Sequence, residues 1–448
     1  MADVRISSGS AHACSSFSHI DMTKKASYIT LGCKLNYAET STYERGFMKE
    51  GYESVPWSEK ADLYIINTCS VTEHADRKSR NIIRKIHRTA PDATVIVTGC
   101  YAQLKRAEVE SLEGVSLVFG ANEKGSLVKT TLEFIDGRNV IRDNADVNDA
   151  VTFAAYSSGE ERTRSFLKVQ DGCDNFCAYC TVPFARGRSR SISIAEAVEE
   201  AKRIAASGVR EIVLTGVNTG DFGRKSGESF LDLLKALNEV EGIERYRISS
   251  IEPNLLTDEI VDWIASGTKF QPHFHIPLQS GSDTLLKDVG RKYSTEFFAS
   301  KIDYIREKMN PKPGDGSGRP DVFFGIDVIA GLPGETDELF METYNFLKDR
   351  VKPAFIHIFP YSRRAGTRSA ARKDQVQDCV KTKRVAMLEE LCKSLNEEFI
   401  ASQKGVKERV LFEESNNGGM MSGYTGNYIK VERPWDEKLA GQIVEVTL

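Results

Sequence analysis

At 448 residues the chain is longer than one hydrophobic core usually organises, so two or three domains are expected. With 40% hydrophobic and 28% charged residues it has a globular composition, and no apolar run reaches the roughly 20 residues of a membrane span, so it reads as soluble with no membrane partner. A formal net charge of -4 argues against indiscriminate coating of nucleic acid, because non-specific affinity comes from phosphates neutralised by Lys and Arg, although local basic patches stay compatible with it.

Residues 1–23 lack an apolar h-region and read as a disordered leader without a secretory signal. Nine cysteines in such a chain fit a reducing, cytoplasmic compartment, where Cys serves as metal ligand or catalyst more often than as half of a disulfide. From Lys24, short apolar runs ending in polar or Gly-containing turns recur: YITLGC (28–33), LYIINTC (63–69), TVIVTGC (94–100) and VSLVFG (115–120). Helical stretches such as 77–88 separate them. This alternation predicts an α/β unit over 24–140, an open parallel βαβ sheet. Ligands bind beyond the C-terminal strand ends of such sheets, where Cys33, Cys69 and Cys100 would converge.

A polar stretch from about 136 to 160 reads as a linker. Six strand-like runs follow, at 165–170, 211–217, 245–251, 274–279, 322–332 and 354–361, with helical stretches at 194–207 and 230–241. They predict a partial (β/α)6 barrel over 155–402, its working face at the strands' C-terminal side. The Pro- and Gly-rich segment 310–321 reads as a loop, and a helical tract from Lys373 to about Ser402 packs outside the barrel. Residues 403–448 turn to β patterning around Asn416-Asn417-Gly418-Gly419 and predict a small β-barrel.

CDNFCAYC sets Cys173, Cys177 and Cys180 on one loop directly after a strand. Three soft thiolates can wrap one metal centre, and thiolates select iron–sulfur clusters, zinc or copper(I). A structural zinc site closes with four ligands, and no further Cys or His stands nearby to supply the fourth. Three ligands on a four-iron cluster leave one iron open. Cys33, Cys69 and Cys100 each end a predicted strand, in TLGCKLN, INTCSVT and VTGCYAQ; taken alone they read equally as buried structural thiols. Cys14, Cys379 and Cys392 are read as bystanders.

Cys-x3-Cys-x2-Cys with an aromatic before the last cysteine, here Tyr179, resembles the defining motif of the radical S-adenosylmethionine superfamily. The resemblance implies that the open iron takes the amino and carboxylate groups of S-adenosylmethionine. It places Thr215 and Gly216, Glu252, Gln279 with Ser280, and GLPGE (331–335) near that cofactor. With the N-terminal trio added, the chain resembles the methylthiotransferase family, which has an N-terminal three-cysteine domain, a radical barrel and a C-terminal TRAM domain. TLGCKLNYAET, INTCSVT, VTGCYAQ and QDGCDNFCAYCTVPFARGRSRS look most like the branch that modifies N6-threonylcarbamoyladenosine beside the tRNA anticodon. The resemblance thus implies two [4Fe–4S] clusters on six cysteines, S-adenosylmethionine, a tRNA anticodon stem-loop, an electron donor and a sulfur source. One S-adenosylmethionine would supply a methyl group to sulfur on the N-terminal cluster. A second would yield the radical that removes the hydrogen on carbon-2 of adenosine.

His273 and His275 share a strand face, which permits a metal reading that the resemblance does not favour. Arg186, Arg188, Arg190, Arg363, Arg364 and Arg368 follow strands at the working face and read as phosphate contacts or as solvated surface. Lys404, Lys407, Arg409, Lys430 and Arg433, interleaved with Phe412, Tyr424 and Tyr428, suit RNA bases and phosphates. No Gly-Lys-Ser/Thr phosphate loop exists, which argues against a nucleotide-triphosphate engine. Three rivals remain: methylthiolation of isopentenyladenosine in tRNA, methylthiolation of an aspartate on a ribosomal protein, and a non-catalytic iron–sulfur or zinc protein that binds RNA.

Overall fold

The computed structural model describes residues 24–140, 147, 153, 155–158, 163–310 and 321–448. The expected leader with Cys14, much of the expected linker and the Pro/Gly-rich segment 311–320 lie outside the described residues.

The N-terminal apolar runs form β1 (Lys25–Thr30), a short β2 (Glu53–Ser54), β3 (Leu63–Thr68), β4 (Thr94–Gly99) and β5 (Leu117–Val118). All pair in parallel, in the order β2-β1-β3-β4-β5. Their crossovers are α1 (Lys34–Lys49), α2 (Glu73–Thr89), α3 (Cys100–Leu104), α4 (Arg106–Glu110) and α5 (Leu127–Ile135). In α2 the Thr72 side chain accepts from Ala75 N, acidic Glu73 and Asp76 open the helix, and His87 and Arg88 end it, in keeping with the helix dipole. The strand order reverses between β1 and β3, so the chain exits carrying Cys33 and Cys69 lie side by side.

Next come β6 (Tyr156–Ser157), β7 (Arg164–Lys168), β8 (Gln170–Asp171), α6 (Val182–Arg186), β9 (Arg190–Ser191), α7 (Ile194–Ala206) and β10 (Glu211–Thr215). They are followed by α8 (Phe230–Asn238), β11 (Arg245–Ile248), α9 (Asp258–Ala265), β12 (His273–Gln279), α10 (Asp283–Val289) and α11 (Thr295–Met309). β13 (Phe323–Ala330), α12 (Asp337–Asn345), β14 (Phe355–Pro360), α13 (Arg368–Ala371) and α14 (Asp378–Ser402) complete this part. The six expected barrel strands run β7-β10-β11 and β12-β13-β14, joined by a bridge between Tyr246 and Phe270, as an open parallel barrel. β6 adds an antiparallel edge to β7, within a stretch read from the sequence as linker. α1 packs on β6 and β7, so the N-terminal sheet is docked on the barrel.

Side chains alternate across the barrel strands. Ile212, Leu214, Tyr246, Ile248, Phe274, Ile276, Phe324, Ile326 and Ile356 form one apolar core beneath the helices. The intervening positions, including Glu211, Arg245, Arg247, His273, His275, Asp327 and His357, give the lumen a polar lining. α14 closes the outside: Leu388, Leu391, Cys392 and Leu395 join that core, and Ile356 N donates to Cys392 Sγ at 3.2 Å.

The C-terminal strands β15 (Lys407–Phe412), β16 (Met420–Tyr424), β17 (Lys430–Pro434) and β18 (Ile443–Thr447) form an antiparallel sheet in the order β17-β16-β15-β18. The expected turn is present, with Gly418 and Gly419 both at positive φ. This sheet docks on the N-terminal ends of the barrel strands. Arg247 donates to Gly426 O and Thr425 O at 2.7 Å each, Arg245 donates to Tyr424 O at 3.1 Å, and Arg164 pairs with Glu413 at 2.8 Å.

Candidate functional site

The loop bearing Cys173, Cys177 and Cys180 leaves the barrel through the β8–β9 ribbon. Gly172, at φ +72°, forms its hinge; a Cβ there would sit 2.1 Å from Arg188 O. The loop is stitched down on both sides: Ala178 N donates to Val289 O and Ser369 N to Ala178 O, each at 2.9 Å. Donors point at the sulfurs: Asn175 N reaches Cys173 Sγ at 3.5 Å, Val182 N reaches Cys180 Sγ at 3.4 Å, and Arg291 Nη1 reaches Cys177 Sγ at 3.4 Å. Burial pushes the Cys173 thiol up to about 12 and the Cys180 thiol up to about 11. Three free thiols on a loop that already supplies N–H donors to sulfur fit an iron–sulfur centre, whose binding would draw those protons off.

All three cysteines line a cavity of about 310 Å³ at the C-terminal end of the barrel strands. Tyr179, Glu252 and Gln279 also line it, as expected from the sequence. Tyr179 packs against Ala178, Val289, Ile329, Leu332 and Tyr361, and burial raises its phenol well above the ordinary value. Glu252 accepts from Asn175 Nδ2 at 2.8 Å and Arg291 Nη1 at 2.7 Å. Gln279 stands where the β12–β13 register shifts, at φ +73°. Thr215 and Gly216 lie one layer behind: Thr215 Oγ1 donates to Leu167 O, Gly216 packs on Gln170, and the next residues, Val217 and Asn218, reach the wall. GLPGE is similarly set back, with Gly331 N donating to Glu335 and Glu335 paired to Arg384. Sequence reasoning missed Asn175, Asn218, Arg291 and Asp327, which carry no motif of their own.

The second trio reaches the same place. Cys33 caps α1, Cys69 follows β3 and Cys100 opens α3. Gly32 stands so close to Cys69 that an added Cβ would sit 2.9 Å from its sulfur. Burial pushes Cys69 up to about 11, with Cys100 and Cys33 adding to the rise, and burial raises Cys100 too. Cys100 is among the charges felt by Cys180, and Val71 and Thr72, just after Cys69, line the cluster cavity. Arg186 and Lys124 oppose the rise at Cys100, so a cationic surrounding fits an anionic metal–thiolate centre here.

The phosphate reading of the arginines needs correcting. Arg186 and Arg190 are buried in an ion cluster, Arg186 reaching Glu39 at 3.2 Å and Asp171 at 3.0 Å and Arg190 reaching Asp171 at 3.3 Å. Lys168 joins Glu39 and Asp171, and Lys124 joins Glu39, at 2.6–2.8 Å. Burial would raise Glu39, but Lys124, Lys168 and Arg186 outweigh it and hold the carboxyl well below the usual range. Arg364 is likewise buried, on Asp76 at 2.9 Å. Arg188 and Arg368 remain exposed. The aromatic residues read as an RNA face turn inward: Phe412 is in the sheet's core, Tyr424 lies under Arg164, and Tyr428 is held between Arg247, His273 and Phe323. Docking of this sheet on the barrel consumes that face, while Lys404, Lys407, Lys430 and Arg433 stay exposed.

Residues 25–120 match the model of "Uncharacterized protein family UPF0004", and 167–347 match "Radical SAM superfamily". A protein of Bacillus subtilis (strain 168) named threonylcarbamoyladenosine tRNA methylthiotransferase MtaB is 39% identical over 94% of this chain and 92% of its own length. Its namesake from Aquifex aeolicus (strain VF5) is 37% identical over 95% of this chain and 100% of its own length. The solved radical S-adenosylmethionine methyltransferase TsrM from Kitasatospora setae shares the fold at TM-score 0.56 and 16% identity, covering 78% of this chain and 74% of its own. With two cysteine trios facing one barrel-end cavity and such identity over nearly the whole length, the chain belongs to the MtaB-like radical S-adenosylmethionine methylthiotransferases.

Proposed function

We propose that the chain places a methylthio group on carbon-2 of N6-threonylcarbamoyladenosine next to the anticodon of tRNA. The observation that carries this reading is the convergence of two three-thiol sites on one cavity. The reading is supported by likeness to proteins named for that reaction. Cys173, Cys177 and Cys180 would hold one [4Fe–4S] cluster and Cys33, Cys69 and Cys100 the other. When bound, the clusters and S-adenosylmethionine supply the carbon radical and the methylated sulfur.

The chain's own residues orient and shield. Glu252, steadied by Arg291 and Asn175, offers an acceptor to the cofactor's amino group, and Gln279 and Tyr179 bound the same space. Thr215 and Gly216 act from behind by fixing the turn that presents Asn218. Ala178, Ile329 and Leu332 form the apolar wall that keeps water from a reactive carbon centre. Arg186 and Lys124 favour thiolate at the N-terminal trio. Residues 24–140 and 155–402 would each carry one cluster. Residues 403–448 would form the TRAM-like unit, its exposed Lys404, Lys407, Lys430 and Arg433 meeting tRNA phosphates. No helix among the described residues is long and apolar enough to cross a membrane. We place the reaction in the cytoplasm, with an external reductant and sulfur source.

Iron and acid-labile sulfide per chain after anaerobic reconstitution test the cluster assignment. About eight irons are expected, falling to about four in the Cys173→Ala/Cys177→Ala/Cys180→Ala variant; about four in the unaltered protein would overturn it. Nucleoside mass spectrometry of a deletion strain tests the substrate. The 2-methylthio form of threonylcarbamoyladenosine should vanish, and an unchanged profile would overturn the reading.

A further inference from the structure

Below the cluster cavity the barrel lumen holds a polar group outside the roles assigned above. Asp327 lines the cavity, and its Oδ1 lies 2.6 Å from His275 Nε2. His357 pairs across the strands with Asp327, and its ring lies 4.6 Å from that of His275. The two imidazoles come from β12 and β14, on either side of β13, and meet over Gly325, which is in register with His275. A Cβ on Gly325 would lie 3.3 Å from His357 Nε2. Glycine inside a strand here marks a recess kept open for close approach.

Lys34 faces the same space. It follows Cys33 as the first residue of α1, a position where the helix dipole disfavours a cation and where no acidic residue offsets it. Its charge is felt at Asp327 and Tyr428, at Arg164 and Arg247, and at His273 and His357. Among the described residues it has no salt-bridge partner, and its side chain is solvent-accessible. Deeper in the lumen, His273 Nδ1 is buried without a hydrogen-bond partner.

His275, Asp327 and His357 have ligand atoms within 4.8 Å of one another, a spacing that also suits a metal ion. Lys34 and Arg247 beside them oppose a divalent cation and favour an anion. Asp327 in turn asks for a donor. An anion carrying hydroxyl or N–H donors answers both demands, and an amino-acid substituent on the base is such a group.

We propose that Lys34, His275, Asp327 and His357 form the subsite for the amino-acid substituent of the target nucleoside. Lys34 and the imidazoles take its carboxylate, and Asp327 takes its hydroxyl or carbamoyl N–H. This rests on the threonylcarbamoyl reading and extends it to the residues that select the substrate. An isopentenyl substituent offers no partner to these groups and would leave them desolvated and unpaired, the kind of mismatch by which a polar site rejects an apolar analogue.

The test compares kcat/KM of the reconstituted enzyme on an anticodon stem-loop bearing threonylcarbamoyladenosine with that on the same stem-loop in which the carboxylate is a carboxamide. The unaltered enzyme should prefer the acid about ten- to a hundred-fold, the range of a charge-assisted hydrogen bond. Lys34→Gln and His357→Gln should each lose most of that preference through KM, and Lys34→Arg should restore it. Iron per chain identifies any variant that has lost a cluster, and the other variant then decides. Equal use of acid and amide by the unaltered enzyme, or an undiminished preference in both variants, would overturn the subsite. So would stoichiometric binding of Zn²⁺ or Mn²⁺ lost on His357→Gln, which would give the trio to a metal. Turnover of an isopentenyladenosine stem-loop but not of the threonylcarbamoyl one would instead sink the substrate reading itself.

Discussion

Arg291 sits where a thiol and a carboxylate meet, giving Nη1 to both Cys177 Sγ and Glu252 and Nε to Tyr293. Both members of its ion pair are almost fully buried. Removing one partner of such a pair leaves an uncompensated charge and costs about 3–5 kcal/mol. Arg291→Met should therefore lower the denaturant midpoint strongly, and the double variant Arg291→Met/Glu252→Gln should recover much of the loss. Equal destabilisation in single and double variants would show that the guanidinium's packing, not its charge, matters. At this scale the six cysteines were legible because thiols placed at strand ends have few other uses. Arg291 was not, since an arginine after a helix-ending glycine looks like any surface residue until the fold turns it inward. Arg186 misled for the converse reason: a basic run after a strand has the same composition whether it meets phosphate or Glu39.

The strand pattern carried most of the architecture because alternation and apolar runs are short-range properties that the sheet merely completes. β2 and β6, two residues each, leave no such pattern and emerged only from pairing. Docking of the C-terminal sheet was equally invisible, since it depends on Arg245 and Arg247 reaching carbonyls some 179 residues away in sequence for the Arg245–Tyr424 and Arg247–Gly426 contacts. The β8–β9 ribbon is where an element-scale prediction bears on function. Gly172→Ala pits a Cβ against Arg188 O in a left-handed conformation that costs an L-residue about 1–2 kcal/mol before any clash. It should loosen the loop and lower iron retention at Cys173, Cys177 and Cys180. Gly366→Ala, at φ +86° with open space around it, should cost only the backbone preference and leave iron content as it was.

Across the whole molecule, Glu39 of α1 meets Lys168 and Arg186 of the barrel, and Asp76 of α2 meets Arg364. Glu39→Gln would leave Lys124, Lys168 and Arg186 short of a buried counter-charge, with an expected loss of about 3–5 kcal/mol. Because the Glu39 and Asp171 carboxyls are held below their ordinary values, their contribution is fully present above pH about 4 and fades as pH falls below it. The melting temperature of the cluster-free protein should drop over that acid range, and less so in Glu39→Gln. The ion cluster also decides how the chain can be divided. Cut near residue 140, one fragment would keep Glu39 and Lys124 and the other Lys168, Asp171, Arg186 and Arg190, each with interior charge it cannot solvate. What reads as modules in sequence thus melts as one cooperative unit, and recombination could exchange its parts only where the incoming half brings the matching charges.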